Sequence, residues 1–154
     1  MLAATTDTFA GLDGRSRDGQ GDGMPLPVSE SWFGVVLECE DASALAHFYE
    51  RLLGWTLFTD SPQWATLAPS KDAGYNMAFQ RDEGFVRPTW PSEPGRQQMQ
   101  AHLDIQVDDL DGGVAYAVDC GAELASYQPQ EKVRVLLDPS GHPFCLYLDD
   151  PPTV

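Results

Sequence analysis

Two stretches of the chain, FGVVLECEDASALAHFYERLLGW (Phe33 to Trp55) and AHLDIQVDDLDGGVAYAVDCGAEL (Ala101 to Leu124), run through the same order of features. Each has a short alternating strand, an acidic pair, an amphipathic helix and a closing glycine. Asp41 corresponds to Asp109 and Gly54 to Gly121, so the second helix is expected to be one residue shorter than the first. A duplicated strand–helix unit must bury the apolar stripe of each helix on its own strands, and the natural place for a site is then between the copies.

In the first copy Val35, Leu37 and Cys39 alternate with Gly34, Val36 and Glu38, which is the period of a strand with one face on a helix. Asp41 or Ser43 can cap a helix carrying Leu45, Phe48, Tyr49, Leu52 and Leu53 at helical spacing, and Gly54 closes it. Strands are expected at Trp55–Phe58, Trp64–Ala68 and Tyr75–Gln80. In the second copy Leu103, Ile105 and Val107 face one way and His102, Asp104 and Gln106 the other. Its helix has the apolar stripe Leu110, Val114, Ala117 and Val118, and strands follow near Glu123–Ser126, Val133–Leu137 and Phe144–Leu148, the last entered through the turn Asp138-Pro139-Ser140-Gly141.

The organisation read from this is a flexible leader over residues 1–30, rich in Gly, Asp, Ser and Thr, followed by one domain over 31–150. The domain divides into a module at 31–80, a Pro-rich linker at 81–100 and a module at 101–148. A linker of that length in a small domain is a crossover or a functional segment.

Composition excludes whole classes of function. The formal charge of −15 opposes phosphate backbones and anionic lipid, so neither nucleic acid nor membrane is an expected partner. No apolar run approaches the roughly 20 residues of a membrane helix. The three cysteines, Cys39, Cys120 and Cys145, have no CxxC spacing and read as free thiols, which with the lack of a secretory pattern makes the cytoplasm the expected compartment.

Three pieces carry a resemblance: the helix ALAHFYERLLGW, the opening HLDIQVDDLD and the closing DPSGHPFCLYL. In this order and with the duplication, the chain resembles the glyoxalase, bleomycin-resistance and dioxygenase proteins, or vicinal oxygen chelate superfamily, over about Phe33 to Leu148. The resemblance implies an α+β fold of two tandem βαβββ modules forming an open eight-stranded cup, and a homodimer. It also implies four metal-ligand positions, which fall on Gly34, Ala78, His102 and Cys145; only the last two have donor atoms. A zinc or iron site generally takes three protein ligands, so an incomplete metal site and no cofactor are expected. Gln80 would be the third donor beside His102 and Cys145 if a divalent metal bound.

Strand parity sends Trp32, Val36 and Glu38, then Asn76, Ala78 and Gln80, then His102, Asp104 and Gln106, and finally Cys145 and Tyr147 into the cup. The expected ligand-binding residues are Trp32, Glu38, Gln80, Phe85, Trp90, His102, Asp104, Gln106, Cys145 and Tyr147, with Phe85 and Trp90 as a cover supplied by the linker or as rings buried by a dimer partner. His102 reads either as a general base with Glu38 and Asp104 nearby or as a structural histidine, and Cys145 as a nucleophile or an inert thiol. His142, the one group near Cys145 in sequence that could lower its pKa, is expected on the turn, pointing away from that thiol. Three functions stand open: a cup that binds a small molecule without a complete metal site, a lyase, isomerase or dioxygenase of this superfamily using His102 as base or metal ligand, and an interaction protein whose cup is vestigial.

Overall fold

The computed structural model describes residues 32–148; the leader expected over residues 1–30 lies outside the described residues. The elements run β1 (Phe33–Cys39), α1 (Ala42–Leu53), β2 (Thr56–Thr59), β3 (Trp64–Ala68), β4 (Tyr75–Arg81), β5 (Leu103–Gln106), α2 (Leu110–Cys120), β6 (Glu123–Leu124), β7 (Val133–Leu137) and β8 (Pro143–Tyr147). This is βαβββ twice. Each half forms its own four-stranded sheet, ordered β1-β4-β3-β2 and β5-β8-β7-β6, with the first and last strands of each half parallel. The eight strands form no closed barrel, because the two sheets share no strand pair among the described residues.

The helices form where the apolar period demands and stop where glycine permits. Asp41 caps α1 by accepting a 2.9 Å hydrogen bond from the Ala44 amide, and Gly54 ends it at φ 66°, a left-handed conformation that favours glycine. Helix α2 is 11 residues to the 12 of α1, as the offset in the repeat requires. Its start differs, since Asp109 makes no side-chain capping bond. Its apolar stripe also differs from the expected one: Val118 is exposed, and Cys120 is buried in its stead. Strand ends move by a residue or two, with β2 beginning at Thr56 and β6 reduced to two residues.

One core serves both halves. Phe48 and Tyr49 of α1 meet edge-on at 4.9 Å; Tyr49 stacks on Phe79 of its own sheet at 5.5 Å, and Phe48 reaches Phe144 of the other sheet at 6.1 Å. All four rings are fully buried. The helices are joined by two polar bonds at their C-terminal ends. Arg51 donates to the Cys120 carbonyl at 2.8 Å, and the Tyr116 hydroxyl donates to the Arg51 carbonyl at 2.7 Å. A cation on the last carbonyls of a helix complements its dipole, which makes the first bond favourable on both counts. No described helix is long and apolar enough to cross a membrane.

Candidate functional site

Strand register places the polar side chains on the faces turned away from the helices. In the first sheet Gly34 lies beside Asn76, Val36 beside Ala78 and Glu38 beside Gln80, with Trp64 next to Gln80 on the adjoining strand. In the second, Asp104 lies beside Cys145 and Gln106 beside Tyr147. Their alternates Leu37, Cys39, Leu103, Ile105, Phe144 and Leu146 pack into the shared core. Val36, Glu38, Asn76 and Gln80 of the first sheet, and Asp104, Gln106, Cys145 and Tyr147 of the second, thus alternate with the core residues of their strands.

The larger cavity, about 460 Å³, opens between the modules. Its walls are Val36, Leu37 and Glu38 of β1, Gln80 of β4, linker residues from Asp82 to Ala101, and His142 of the turn before β8. Of the expected ligand-binding residues it gathers Glu38, Gln80 and Phe85. Trp32 lines a second, smaller cavity of about 170 Å³ with Phe58, Lys71 and Asn76. Trp90 lines neither: its indole N–H donates to the Tyr127 carbonyl at 3.1 Å and its ring lies against Tyr127. The linker is thus tied to the second module through Trp90, while Phe85 faces the cavity.

His102, Asp104 and Cys145 form a separate cluster on the second sheet. Nε2 of His102 is 3.3 Å from Oδ1 of Asp104, and the donor atoms of all three lie within 4.8 Å of one another. The histidine and aspartate are exposed and the cysteine half-buried. Burial pushes the Cys145 thiol up to about 11, and the charge of Asp104 and a hydrogen bond to it add to the shift. Cys145 is therefore a neutral thiol at physiological pH.

A nitrogen, a carboxylate oxygen and a sulfur are donors zinc accepts, and three protein ligands with an open position is its catalytic pattern. Tetrahedral zinc sets its donors about 3.3–3.8 Å apart, so modest side-chain rotations would bring this set into place. By donor chemistry the residues fit. The carboxylate grouped here with His102 and Cys145 is that of Asp104, while Gln80, the expected third donor, sits on the first sheet against the larger cavity. At position 34, the first of the four ligand places implied by resemblance, the Asn76 side chain occupies the space a Cβ would need.

His142 pairs with Asp138 and not with Cys145, and, although absent from the expected ligand-binding residues, it lines the larger cavity with its ring 5.5 Å from that of Phe85. The spacing of Asp138 and His142 in DPSGH was the available signal. A turn brings such residues together, and Asp138 Oδ2 lies 2.9 Å from His142 Nδ1 while Oδ1 accepts the His142 amide at 2.9 Å. Asp138 is itself 1% exposed.

Known proteins agree with this fold. The family model of the glyoxalase-like domain matches residues 34–147. Among solved structures, a glyoxalase/bleomycin resistance protein/dioxygenase family enzyme from Burkholderia phytofirmans PsJN is similar at 19% identity and a TM-score of 0.57, covering 78% of this chain and 98% of that one. A glyoxalase-related enzyme from Fulvimarina pelagi is similar at 18% identity and a TM-score of 0.54, over 79% and 89% of the two chains. The fosfomycin resistance protein FosX from Mesorhizobium loti is similar at 14% identity and a TM-score of 0.53, over 83% and 96%. No curated protein sequence matches the chain. With its two βαβββ halves, its helix-free polar faces and a family match over nearly all of the described residues, the chain belongs to the glyoxalase-like domain family.

Proposed function

We propose that this chain is a small-molecule-binding glyoxalase/bleomycin-resistance-like protein that holds its ligand in the cavity between the modules, without using a complete metal site. The observation that supports this is the cavity itself. At about 460 Å³ it has the volume typical of ligand pockets, and it sets apolar walls of Val36, Phe85, Val86 and Met99 among the polar groups of Glu38, Gln80 and His142. Thermal-shift and native mass-spectrometric screening against metabolites and antibiotics tests it. A bound compound recovered unchanged, with its affinity reduced by Glu38→Ala and Phe85→Ala, is the expected result; turnover of the bound compound would remove the claim that no chemistry occurs.

A second reading is favoured by one observation, the convergence of His102, Asp104 and Cys145. Here the protein is an enzyme of the superfamily, with His102 as base or metal ligand. A divalent metal, when bound, would polarise adjacent oxygens of a substrate. The chain's own part would be to offer the imidazole, carboxylate and thiolate, which requires the Cys145 proton to leave. Zinc titration by calorimetry decides it: stoichiometric binding lost in both Asp104→Asn and Cys145→Ser supports the enzyme reading, and equal weak binding by all three proteins removes the metal version.

Homodimerisation is part of the proposal. The helix-free side of the first sheet carries Trp32, Phe58 and Trp64, all exposed, and apolar rings so placed gain by being covered. Light scattering coupled to size exclusion measures it. The cytoplasm is the proposed compartment, supported by three free cysteines, and cell fractionation is the check.

A further inference from the structure

Two buried groups, Tyr49 and Asp138, fix which way the half-buried His142 of the larger cavity presents its proton. The Tyr49 hydroxyl donates to Oδ2 of Asp138 at 3.0 Å. That carboxylate also accepts the His142 amide at Oδ1, and its Oδ2 lies against His142 Nδ1 at 2.9 Å. An ionised carboxylate can only accept, so Nδ1 carries the proton and in the neutral ring Nε2 is left with its lone pair. Burial holds the tyrosine well above its ordinary range, so it stays a donor and does not compete for that proton. Among the described residues Nε2 has no partner and no buried side-chain nitrogen or oxygen is unpaired, so Nε2 is accessible on a residue that lines the cavity.

The charges around it have one sign. Glu38 and Asp82 contribute carboxylates to the wall, and no lysine or arginine does. Arg87, which lies against the same turn, is committed elsewhere, donating to the Pro139 carbonyl at 3.1 Å and pairing with Glu123 at 3.5 Å. Phe85, Val86 and Met99 supply the apolar remainder. An anion entering here would meet two carboxylates and a lone pair with no cation to offset them.

We propose, building on the small-molecule reading above, that His142 is a fixed hydrogen-bond acceptor in the cavity and that the ligand is an amphiphilic amine: a protonated nitrogen for Glu38 and Asp82, an N–H or O–H for His142 and an apolar body against Phe85. This assigns a substrate class and a binding residue at once. Asp138 and Tyr49 act through His142 as positioning residues.

Nitrogen-15 spectra of the full chain at about pH 8 read the His142 tautomer directly, with no ligand needed. Phenethylamine and 3-phenylpropionate, a charge-reversed pair of similar shape, are then titrated while the Glu38, Phe85 and His142 amides are followed. Expected are a protonated Nδ1, and an amine that binds at least about tenfold tighter than the carboxylate. Asp138→Asn can keep the His142 amide on its oxygen and reverse the two bonds at its other atom, turning Nε2 into a donor, and should weaken the amine by about tenfold; His142→Gln, which retains an acceptor, should bind it more tightly than His142→Leu. A proton on Nε2 in the unsubstituted protein, or phenylpropionate binding as tightly as the amine, overturns the inference and leaves the cavity as a ligand site. If neither probe nor 2-phenylethanol moves those amides, the cavity reading falls and this inference with it.

Discussion

Tyr49 and Asp138 stand 89 residues apart in the chain and 3.0 Å apart in the fold, the hydroxyl of the first module's helix donating to the carboxylate in the second module's closing turn. The bond makes the buried charge of one half depend on the aromatic core of the other. Tyr49→Phe keeps the ring and removes the donor. A buried acceptor stripped of a partner costs about 1–3 kcal/mol. Urea unfolding should show that loss with an unchanged slope, whereas an unaltered midpoint would mean that Asp138 is satisfied by His142 alone.

Cys145 should be slow to alkylate. Its thiol is pushed up to about 11, first by burial and then by Asp104, and only the thiolate reacts. Each pH unit below that value lowers the reactive fraction about tenfold. Asp104→Asn removes the neighbouring negative charge, so iodoacetamide labelling of Cys145 at neutral pH, followed by mass spectrometry, should be faster in the variant. Labelling that is equally fast before and after the change would dismiss Asp104 as a cause.

His47 links α1 to the loop after β2, with Nδ1 2.8 Å from Glu50 and Nε2 3.2 Å from Asp60. The hydrogen bond to Glu50 raises its pKa first of all, with Asp60 adding to the shift and a small desolvation opposing it. A histidine raised in the folded state contributes stability that is full below its unfolded value of about 6.5 and is lost as pH rises through the folded value. His47→Gln should therefore lower the melting temperature more at acidic than at alkaline pH. Because the group is exposed, added salt should shrink the difference.

Gly141 occupies φ 89°, and a Cβ placed there would meet the Arg87 side chain. Gly141→Ala should cost about 1–2 kcal/mol from the left-handed backbone alone, and it should also displace Arg87 from the Pro139 carbonyl. Loss of the Arg87–Glu123 pair in the variant's crystal structure would trace that displacement; a variant as stable as the parent would show that the turn tolerates a side chain.

The duplicated pattern was legible because hydrophobic period and helix punctuation are local properties: Asp41, Gly54 and Gly121 act within a few residues of themselves. The cup faces were legible for the same reason, since parity along one strand needs no knowledge of its neighbour. Partners across strands were not. Asp104 joins His102 and Cys145 because β5 and β8 pair in parallel with Asp104 level with Cys145, a register that no local signal states. On similar grounds the place of His142 in the cavity wall was not legible. Its direction depends on Gly141, Asp138 and a tyrosine from the other module acting together. Trp90, placed by residue type on a ligand cover, is held instead by a carbonyl distant in the chain.

The aromatic seam formed by Phe48, Tyr49, Phe79 and Phe144 has a structural consequence. Phe48 and Tyr49 rise from the helix of one repeat and Phe144 from the sheet of the other, so excising either repeat would strip the survivor of part of its aromatic lining and leave a raw greasy flank facing water.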